Sequence, residues 1–517
     1  MIKACLTFWM AIVSLITLGQ TTFSKLYWND YTISGLGIAT DGEFVYSTGL
    51  GLYNDDELYL PNVFFLKFDV LGNQIDKTYL IAGENAYYRS GYAGGFELLN
   101  DSILFASGHF SEYDTMFPPW NRKHLGQLYA FNTEGDTLFT RKYKGSGFIE
   151  FNRLHLFNDK VICGGFTQDT NGVASNAYLT KVNYEGIQIW ELMLGDTIHS
   201  EATGLLDTIS NSTIIGGGAV VNSISPDGIM RNGKIYKLDA SGNVYFSKEI
   251  GTPYDDSEIE VKVSKNGQSY LVRQYMDTVI NEGDYEYVQY IGKTDTNVNF
   301  IWRTFLNDKY YKYIYTLRTF EDGSIVAVGT TIVDETYEPH GYIVKLDSNG
   351  AVLWERDYTN NPEGNHYLYD FQKMPDGGYI CSGLGADTID GVIQSMCWLL
   401  RLDSMGCLIP GCDEVSIPEI AVNSETYLSI YPNPFGDAAT VEVHVPQDFT
   451  INGTQALRLD IYDMQGRLID GYSNIYPSNP GETIRFKMYR NTMTAGNYLA
   501  TLKYGDEVLN TIQFVLK

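Results

Sequence analysis

A ten-residue motif, with its clearest copy at Lys345–Trp354 (KLDSNGAVLW), constrains the fold of this chain more than any other feature. An apolar segment ends at Asp347, Ser-Asn-Gly follows, and a second apolar run begins at Ala351. Asp, Asn and Gly accept the tight or left-handed backbone of a turn between two strands. The motif, called the hairpin motif below, therefore predicts a β-hairpin.

The hairpin motif recurs along the chain at spacings of roughly 50 to 60 residues. A glycine stands five residues into every copy except the fifth, which has Val298 there. The copies begin at Lys67, Ala130, Lys181, Lys237, Lys293, Lys345 and Arg401. Each unit contains four short strand-like segments. Self-similar all-β units of this length are typical of a β-propeller in which each unit forms one blade. We therefore expect an all-β chain with a seven-bladed β-propeller at residues 21–412.

The two ends of the repeat region predict how the ring closes. The seventh unit has Pro410 where other units have Trp or Phe, and proline cannot donate to a sheet ladder. The segment Phe23–Trp28 has no unit of its own but is patterned like a fourth strand. We predict that it completes the seventh blade, which removes exposed edges.

The ends of the second strands carry a further signal. We expect small residues there to let neighbouring blades approach closely. The fifth unit departs, with Arg273 in this region. The other units have Gly49, Gly108, Gly164-Gly165, Gly216-Gly217, Gly329 and Gly383.

The N-terminus indicates export. After Lys3, an apolar core of about 13 residues runs from Leu6 to Leu18, short of the roughly 20 that span a bilayer. Residues 1–20 are thus predicted to be a signal peptide, and no later segment is expected to cross a membrane as a helix. In an oxidising exported setting, Cys407 and Cys412 of the CLIPGC loop are expected to form a disulfide. The cysteines within apolar strands, Cys163, Cys381 and Cys397, are expected in the core.

Charge and composition exclude one class of partner. The formal net charge is −27, and no basic stripe is present. A protein that neutralises phosphates needs such a stripe, so we expect no binding to nucleic acid.

The composition changes after the repeats. Residues 413–426 are polar and aperiodic, which predicts a linker. About seven strand-like segments follow at residues 427–517, a pattern typical of a small antiparallel β-sandwich.

The C-terminal region also carries a set of short motifs. They are Tyr431-Pro432-Asn433-Pro434, then Gly466-Arg467 after an alternating strand, then Gly496 and Tyr498 before the terminal strand. In this order they resemble the type A C-terminal sorting domain of proteins exported by the type IX secretion system of Gram-negative bacteria. The resemblance implies the type IX machinery as partner. It also implies a protein that is secreted or held at the outer-membrane cell surface after signal-peptide removal. An ordinary carbohydrate-binding or immunoglobulin-like sandwich is the alternative.

The propeller face with the long loops is the better place for a ligand, because loops on a rigid scaffold carry function. Aromatic rings beside carboxylates suit sugars, calcium or a basic peptide. The candidate ligand-binding residues are Tyr87, Arg89, His199, Glu201, Asp255, Asp256, Asp308, Glu363 and His366.

The sequence favours a binding protein whose propeller face recognises a glycan or protein partner. It contains no HExxH, GxSxG or P-loop signature, and we assign no catalytic residue and no metal site. No cofactor is expected, calcium being the one ion that acidic loops would suit. The alternatives are an extracellular polysaccharide lyase or glycoside hydrolase, and a passive surface or adhesion protein.

Overall fold

The computed structural model describes residues 20–27, 33–55, 58–82, 86–112, 123–144, 147–157, 160–168, 175–194, 205–210, 213–225, 228–252, 256, 259–264, 267–281, 284–306, 311–332, 338–361, 363–409, 412, 428–447, 449, 456–463, 466–505 and 507–517. The predicted linker and nearly all of the predicted signal peptide lie outside these residues. Within them the chain is all-β, and there is no helix with the length and hydropathy of a membrane span.

Strand β1 (Phe23–Tyr27) leads into antiparallel sheets that follow the repeat units, numbered here as sheets 1 to 7. Sheet 1 contains β2 (Ile33–Thr40), β3 (Phe44–Asp55), β4 (Leu58–Asp69) and β5 (Gln74–Leu80). Sheet 2 contains β6 (Ala86–Ser90), β7 (Phe96–Leu99), β8 (Ile103–Glu112), β9 (Lys123–Asn132) and β10 (Thr137–Tyr143). Sheet 3 contains β11 (Phe148–Phe157), β12 (Lys160–Gln168), β13 (Ser175–Asn183) and β14 (Gln188–Leu194).

The later sheets repeat this order. Sheet 4 contains β15 (Leu205–Ser210), β16 (Thr213–Ser225), β17 (Gly228–Asp239) and β18 (Val244–Ile250). Sheet 5 contains β19 (Glu260–Val263), β20 (Tyr270–Asn281), β21 (Asp284–Thr294) and β22 (Phe300–Phe305). Sheet 6 contains β23 (Lys312–Thr319), β24 (Ile325–Ile332), β25 (Pro339–Leu346) and β26 (Val352–Tyr358). Sheet 7 contains β27 (Tyr367–Lys373), β28 (Tyr379–Ile389) and β29 (Val392–Leu402), with β1 as its fourth strand.

The C-terminal part contributes two further groups of strands. They are built from β30 (Leu428–Tyr431), β31 (Ala438–His444), β32 (Leu457–Asp463), β33 (Leu468–Ile475), β34 (Thr483–Tyr489), β35 (Gly496–Tyr504) and β36 (Glu507–Leu516). Strands β30, β31 and β34 continue sheet 5, and the other four form a separate sheet in the order β33-β32-β35-β36. Val441 and Phe486 of the first group share one core with Ile461 and Phe514 of the second.

One contact recurs where consecutive sheets meet. The hairpin-motif glycine of one sheet lies under an aromatic ring from the last strand of the sheet before it, as Gly242 does with Trp190 and Gly350 with Trp302. The motif lysine donates across the same boundary, since Lys293 Nζ lies 3.2 Å from the carbonyl oxygen of Ser348. The repeated residues therefore hold neighbouring sheets together.

Sheet 7 meets sheet 1 through the same kind of contact. Strand β1 pairs with β29 from Phe23 opposite Arg401 to Tyr27 opposite Cys397, so the predicted completion of the seventh unit by this segment is confirmed. Phe23 lies against Gly72 of sheet 1, and the hydroxyl of Tyr27 donates to the carbonyl oxygen of Gly72. Trp28 lies outside the described residues.

The glycines at the ends of the second strands are needed for a different reason from the one predicted. A Cβ atom on Gly329 would lie 1.8 Å from the carbonyl oxygen of Tyr313, in the first strand of the same sheet. The register shifts there between Ile314 and Thr316, and this bulge turns the carbonyl toward the glycine. The expectation of close approach between sheets was therefore wrong at this position. Close approach between sheets does occur at Gly217. There an added Cβ would lie 1.9 Å from the carbonyl oxygen of Ile259, the residue just before β19 of sheet 5.

Gly350→Ala is expected to destabilise the chain. Gly350 has a φ of +86°, and an added Cβ would lie 2.5 Å from a ring carbon of Trp302. The left-handed backbone alone costs about 1–2 kcal/mol, and the overlap adds to it. Gly391→Ala is the matched control, because its φ is +79° with no heavy atom within 4 Å. Urea unfolding compares the two, and equal losses would show that the Trp302 contact imposes no constraint.

The C-terminal part joins the repeat region at sheet 5. Strands β22 and β34 pair in parallel, with Arg303 opposite Ile484. Glu482 is fully buried and accepts from the Nε of Arg303, while Arg303 Nη2 lies 3.2 Å from its second oxygen. The side chain of Asn479 accepts from the backbone nitrogen of Phe300 and donates to its carbonyl oxygen, both at 2.7 Å. The joint therefore combines a strand ladder with a buried ion pair.

Candidate functional site

The part of the repeat region where the first strands of the sheets contact one another is called the centre below. Contacts join β2 to β7, β7 to β11, β11 to β15, β15 to β19, β23 to β27 and β27 to β2. Side chains on these strands are therefore the ones that can face the centre.

Three charged side chains form a network across this centre. Glu260 of sheet 5 accepts from Arg153 Nη1 of sheet 3 at 2.5 Å and from Arg273 Nε of its own sheet at 2.5 Å. Both arginines also donate to the carbonyl oxygen of Tyr315 in sheet 6, at 2.7 and 3.1 Å. Because sheets 3 and 5 are not consecutive, these bonds link parts of the repeat region that are not neighbours along the chain. Arg273 is the residue that departs from the repeat pattern, so the departure has a structural role.

Glu260 is fully buried, which alone would raise its pKa. The guanidinium groups of Arg153 and Arg273 outweigh that effect and hold the pKa of Glu260 below its ordinary value. At neutral pH the carboxylate is thus ionised, and the network carries one excess positive charge.

A cluster of five tyrosines lies next to this network, four on the first strands of sheets 6 and 7 and one just before β23. The tyrosine cluster consists of Tyr311, Tyr313, Tyr315, Tyr367 and Tyr369. The Tyr315 ring lies 4.8 Å from that of Tyr369 and 4.9 Å from that of Tyr313, centroid to centroid. The Tyr367 and Tyr369 rings stack at 5.8 Å, and all five side chains are partly exposed. Burial raises the pKa of Tyr315 and of Tyr369, so both hydroxyls remain protonated.

The sequence patterns that place these rings together are simple. Tyr313 and Tyr315 are two residues apart on β23, with Tyr311 two residues earlier and just before that strand; Tyr367 and Tyr369 are two residues apart on β27. Alternate residues of a strand point to the same face, so each series presents its rings on one side. Flat aromatic faces with hydroxyls at their edges can stack on a sugar ring and hydrogen-bond to it.

Two of the sequence-predicted ligand residues, Tyr87 and Arg89, lie on β6 of sheet 2. Tyr87 is buried, with its ring 6.1 Å from that of His109, and Arg89 is exposed on the strand position opposite His109. Burial lowers the pKa of His109 to about 4. These residues lie on a different sheet from the tyrosine cluster.

The remaining predicted ligand residues are dispersed. His366 is buried, where it receives backbone N–H groups of Asn360 and Ala386 at Nε2 and lies 2.7 Å from the carbonyl oxygen of Gly364 at Nδ1. Asp256 is buried and accepts from Thr252, whereas Glu363 is exposed. Both buried groups use their polar atoms to hold neighbouring backbone. His199, Glu201, Asp255 and Asp308 lie outside the described residues.

The sorting-motif residues occupy two places in the C-terminal part. Asn433 of the Pro432–Pro434 segment accepts from the backbone of Val515 at 2.9 Å, so this segment is fastened to the terminal strand. The Nε of Arg467 donates to a carboxylate oxygen of Asp463 at 2.7 Å. The neighbouring Gly466 has a φ of +78°. Arg467, Gly496 and Tyr498 line one surface depression of about 320 Å³.

The structure contains the predicted disulfide. Cys407 and Cys412 are bonded, with their Cα atoms 5.8 Å apart, which confirms the prediction. Cys163, Cys381 and Cys397 are free and buried, as expected.

Comparison with known families concerns the C-terminal part. Residues 429–517 match the family model of the secretion system C-terminal sorting domain. This match supports a sorting domain for the type IX system, and with it the secretion machinery as a partner and a secreted or outer-membrane surface location. No curated protein sequence matches the chain.

Several solved structures resemble large parts of the chain weakly. The β-propeller domain of the Trilobed protease from Pyrococcus furiosus is 14% identical at a TM-score of 0.39, covering 73% of this chain and 94% of that one. A Pyrococcus horikoshii acylaminoacyl peptidase is 11% identical at 0.40, covering 88% and 64%. A Bombyx mori GH32 β-fructofuranosidase is 11% identical at 0.29, covering 72% and 90%. Identities and TM-scores this low carry no information on activity.

Proposed function

We propose that this chain is an exported binding protein in which residues 21–412 form a seven-bladed β-propeller and residues 427–517 a small sorting β-sandwich. Two observations support the propeller. The sheets share cores in sequence, and sheet 7 shares a core with sheet 1, in which Leu399 packs with Phe64. The signal peptide at residues 1–20 would direct passage across the inner membrane, and the sorting domain passage across the outer one.

The ligand we propose is a carbohydrate, and the observation that carries this proposal is the tyrosine cluster. Five partly exposed rings, each in contact with another, lie on or directly before the first strands of two neighbouring sheets. Arg153 and Arg273 hold the carbonyl oxygen of Tyr315. Tyr313 and Tyr367 lie on paired strands, so little ordering of the backbone would accompany binding. A sugar could stack on these faces and bond to the phenol hydroxyls.

Two buried carboxylates of the central strands, Glu260 and Asp370, do not favour a hydrolase. Glu260 is bound by two arginines. Asp370 is fully buried, accepts from Arg318 at 2.5 Å, and has its pKa raised by burial. Neither is presented to a substrate as a general acid or base.

Binding can be tested on the protein without its signal peptide. A glycan array should give a defined hit, and Tyr313→Ala and Tyr367→Ala should each weaken binding to it by about 10-fold or more, since a lost aromatic contact costs about 0.5–1.5 kcal/mol beyond area burial. Tyr245→Ala is the control, because this tyrosine is exposed on strand β18. Calorimetry with the hit measures the change. Binding that is equally strong in all three variants would exclude the tyrosine cluster, and an array without hits would favour a protein partner.

A further inference from the structure

Where sheets 2 and 3 meet, two imidazole rings and a carboxylate come together from three strands. His109 lies on β8, His124 on β9 and Glu150 on β11. One possible metal-ligand atom from each residue lies within 4.8 Å of the other two. Among the residues the structure describes, no other three His, Cys, Asp or Glu side chains come together in this way. Glu150 Oε1 lies 3.5 Å from His124 Nδ1, and its Oε2 lies 3.8 Å from His109 Nδ1.

The strands hold these side chains in place without help from a ligand. In the ladder between β8 and β9, His124 is opposite Ser111 and His109 is opposite Gly126, so the two histidines are diagonal neighbours on one face. Their ring centroids are 5.4 Å apart. The ring of Phe148 packs edge-on against His124 at 4.9 Å. The site is therefore built on sheet positions and has an aromatic wall.

His109 has no adequate polar partner. Its side chain is nearly fully buried, and the Nε2 atom has no hydrogen-bond partner. The 3.8 Å between its Nδ1 and Glu150 is longer than a hydrogen bond. Burying an imidazole without hydrogen bonds to its ring nitrogens is unfavourable. Buried polar groups without partners are uncommon in native proteins, so this one needs a physical reason. A cation coordinated by one of the two ring nitrogens would give this buried imidazole a strong polar partner.

We propose that His109, His124 and Glu150 bind a divalent transition-metal ion, with zinc the favoured one. Two imidazole nitrogens and one carboxylate oxygen are ligands that zinc takes in sites that keep a position open for water. Calcium and magnesium prefer oxygen ligands throughout, so this set disfavours them. In a tetrahedral zinc site the ligand atoms lie roughly 3.4 Å apart. The ligand atoms here lie within 4.8 Å of one another, so side-chain rotation must bring the most distant pair inward by up to roughly 1.4 Å.

Two neighbours act against the ion. The Ser111 hydroxyl lies 3.1 Å from His124 Nδ1 and must release that nitrogen if it is the ligand. Arg89 is exposed opposite His109, and its charge disfavours a nearby cation. Releasing His124 requires only a rotation of the Ser111 hydroxyl, and solvent weakens the repulsion between Arg89 and the ion. Both effects lower the affinity for the metal ion, but neither removes one of its three ligands.

Calorimetry tests the site on the chelator-stripped protein without its signal peptide, with zinc chloride as the probe. Wild type should bind one equivalent, and cobalt should give the visible absorption of a low-symmetry site. His124→Ala and Glu150→Gln should each weaken zinc binding by at least about 10-fold. Arg89→Gln should bind zinc at least as tightly as wild type, because it removes only the opposing charge.

His155→Ala is the matched control. His155 lies on β11, as Glu150 does, and its Nδ1 atom lies 3.2 Å from Oε1 of Glu97 on β7. This His–Glu pair is not part of a group of three possible metal ligands. It should leave zinc binding unchanged. If His124→Ala does not fold, Glu150→Gln carries the test, since it preserves the shape of the side chain. No stoichiometric binding by wild type, or equal binding by Glu150→Gln, would overturn the proposal.

Discussion

Glu260→Ala is expected to lower the free energy of unfolding by about 3–5 kcal/mol or more. The substitution leaves the guanidinium groups of Arg153 and Arg273 buried without a counter-charge, and removing one partner of a buried ion pair costs that much. It also cuts the direct link between sheets 3 and 5. Urea unfolding followed by tryptophan fluorescence measures the loss.

Glu249→Ala is the control, because this glutamate pairs with Lys234 at 3.3 Å and is about half exposed. Glu249→Ala should lower the free energy of unfolding by less than about 1 kcal/mol.

The pH dependence of stability provides a second check on Glu260. The folded pKa of Glu260 lies below its ordinary value of 4.5, so its contribution is present above pH 4.5 and is lost as the pH falls through the folded pKa. The difference between wild type and Glu260→Ala should therefore shrink in acid. A difference that does not change with pH would contradict an ionised Glu260.

Glu482→Ala is expected to detach the sorting domain from sheet 5. Arg303 would be left buried and unpaired, at a cost of about 3–5 kcal/mol, and that loss falls on the joint between β22 and β34. Hydrogen exchange at Trp302–Thr304 and Thr483–Arg485 should become much faster, because those ladder bonds open with the joint.

Two further variants isolate the ion pair. Lys487→Ala removes a partly exposed pair with Glu355 that also crosses the joint, and should change exchange little. The double replacement Arg303→Leu with Glu482→Leu should restore protection, since a buried pair can often be exchanged for apolar residues of similar volume. Fast exchange in Lys487→Ala, or slow exchange in Glu482→Ala, would show that the ladder holds without the pair.

The sequence predicts the parts of this fold that repeat. The hairpin motif sets the turns, and even Val298, the one departure at the glycine position, takes the left-handed backbone of the others with a φ of +62°. The pairing of β1 with β29 is predictable because Pro410 leaves one strand missing. These features are local, or they follow from comparing one unit with the next.

The centre was not predicted, because its residues come from units that no local pattern connects. Arg153 and Glu260 are 107 positions apart and on sheets that are not consecutive. Two signals could have pointed there. One is Arg273, which stands out as a charge where other units have glycine, and the other is the alternation of tyrosines from Tyr311 to Tyr315. The cluster of His109, His124 and Glu150 depends on strand register, which the sequence does not fix.

The pairing of Phe23 with Arg401 imposes an order of events on synthesis and export. A chain that emerges from its N-terminus presents this short strand first, yet the partner strand follows hundreds of residues later. Until then the earliest segment has nowhere to dock, and the preceding sheets must assemble without it. We therefore expect the pairing of β1 with β29 to be a late and slow step, since pairing between segments far apart in the chain is intrinsically slow. The residues that match the sorting domain lie after β29 in the chain, so they are synthesised only after both strands of this pair are available.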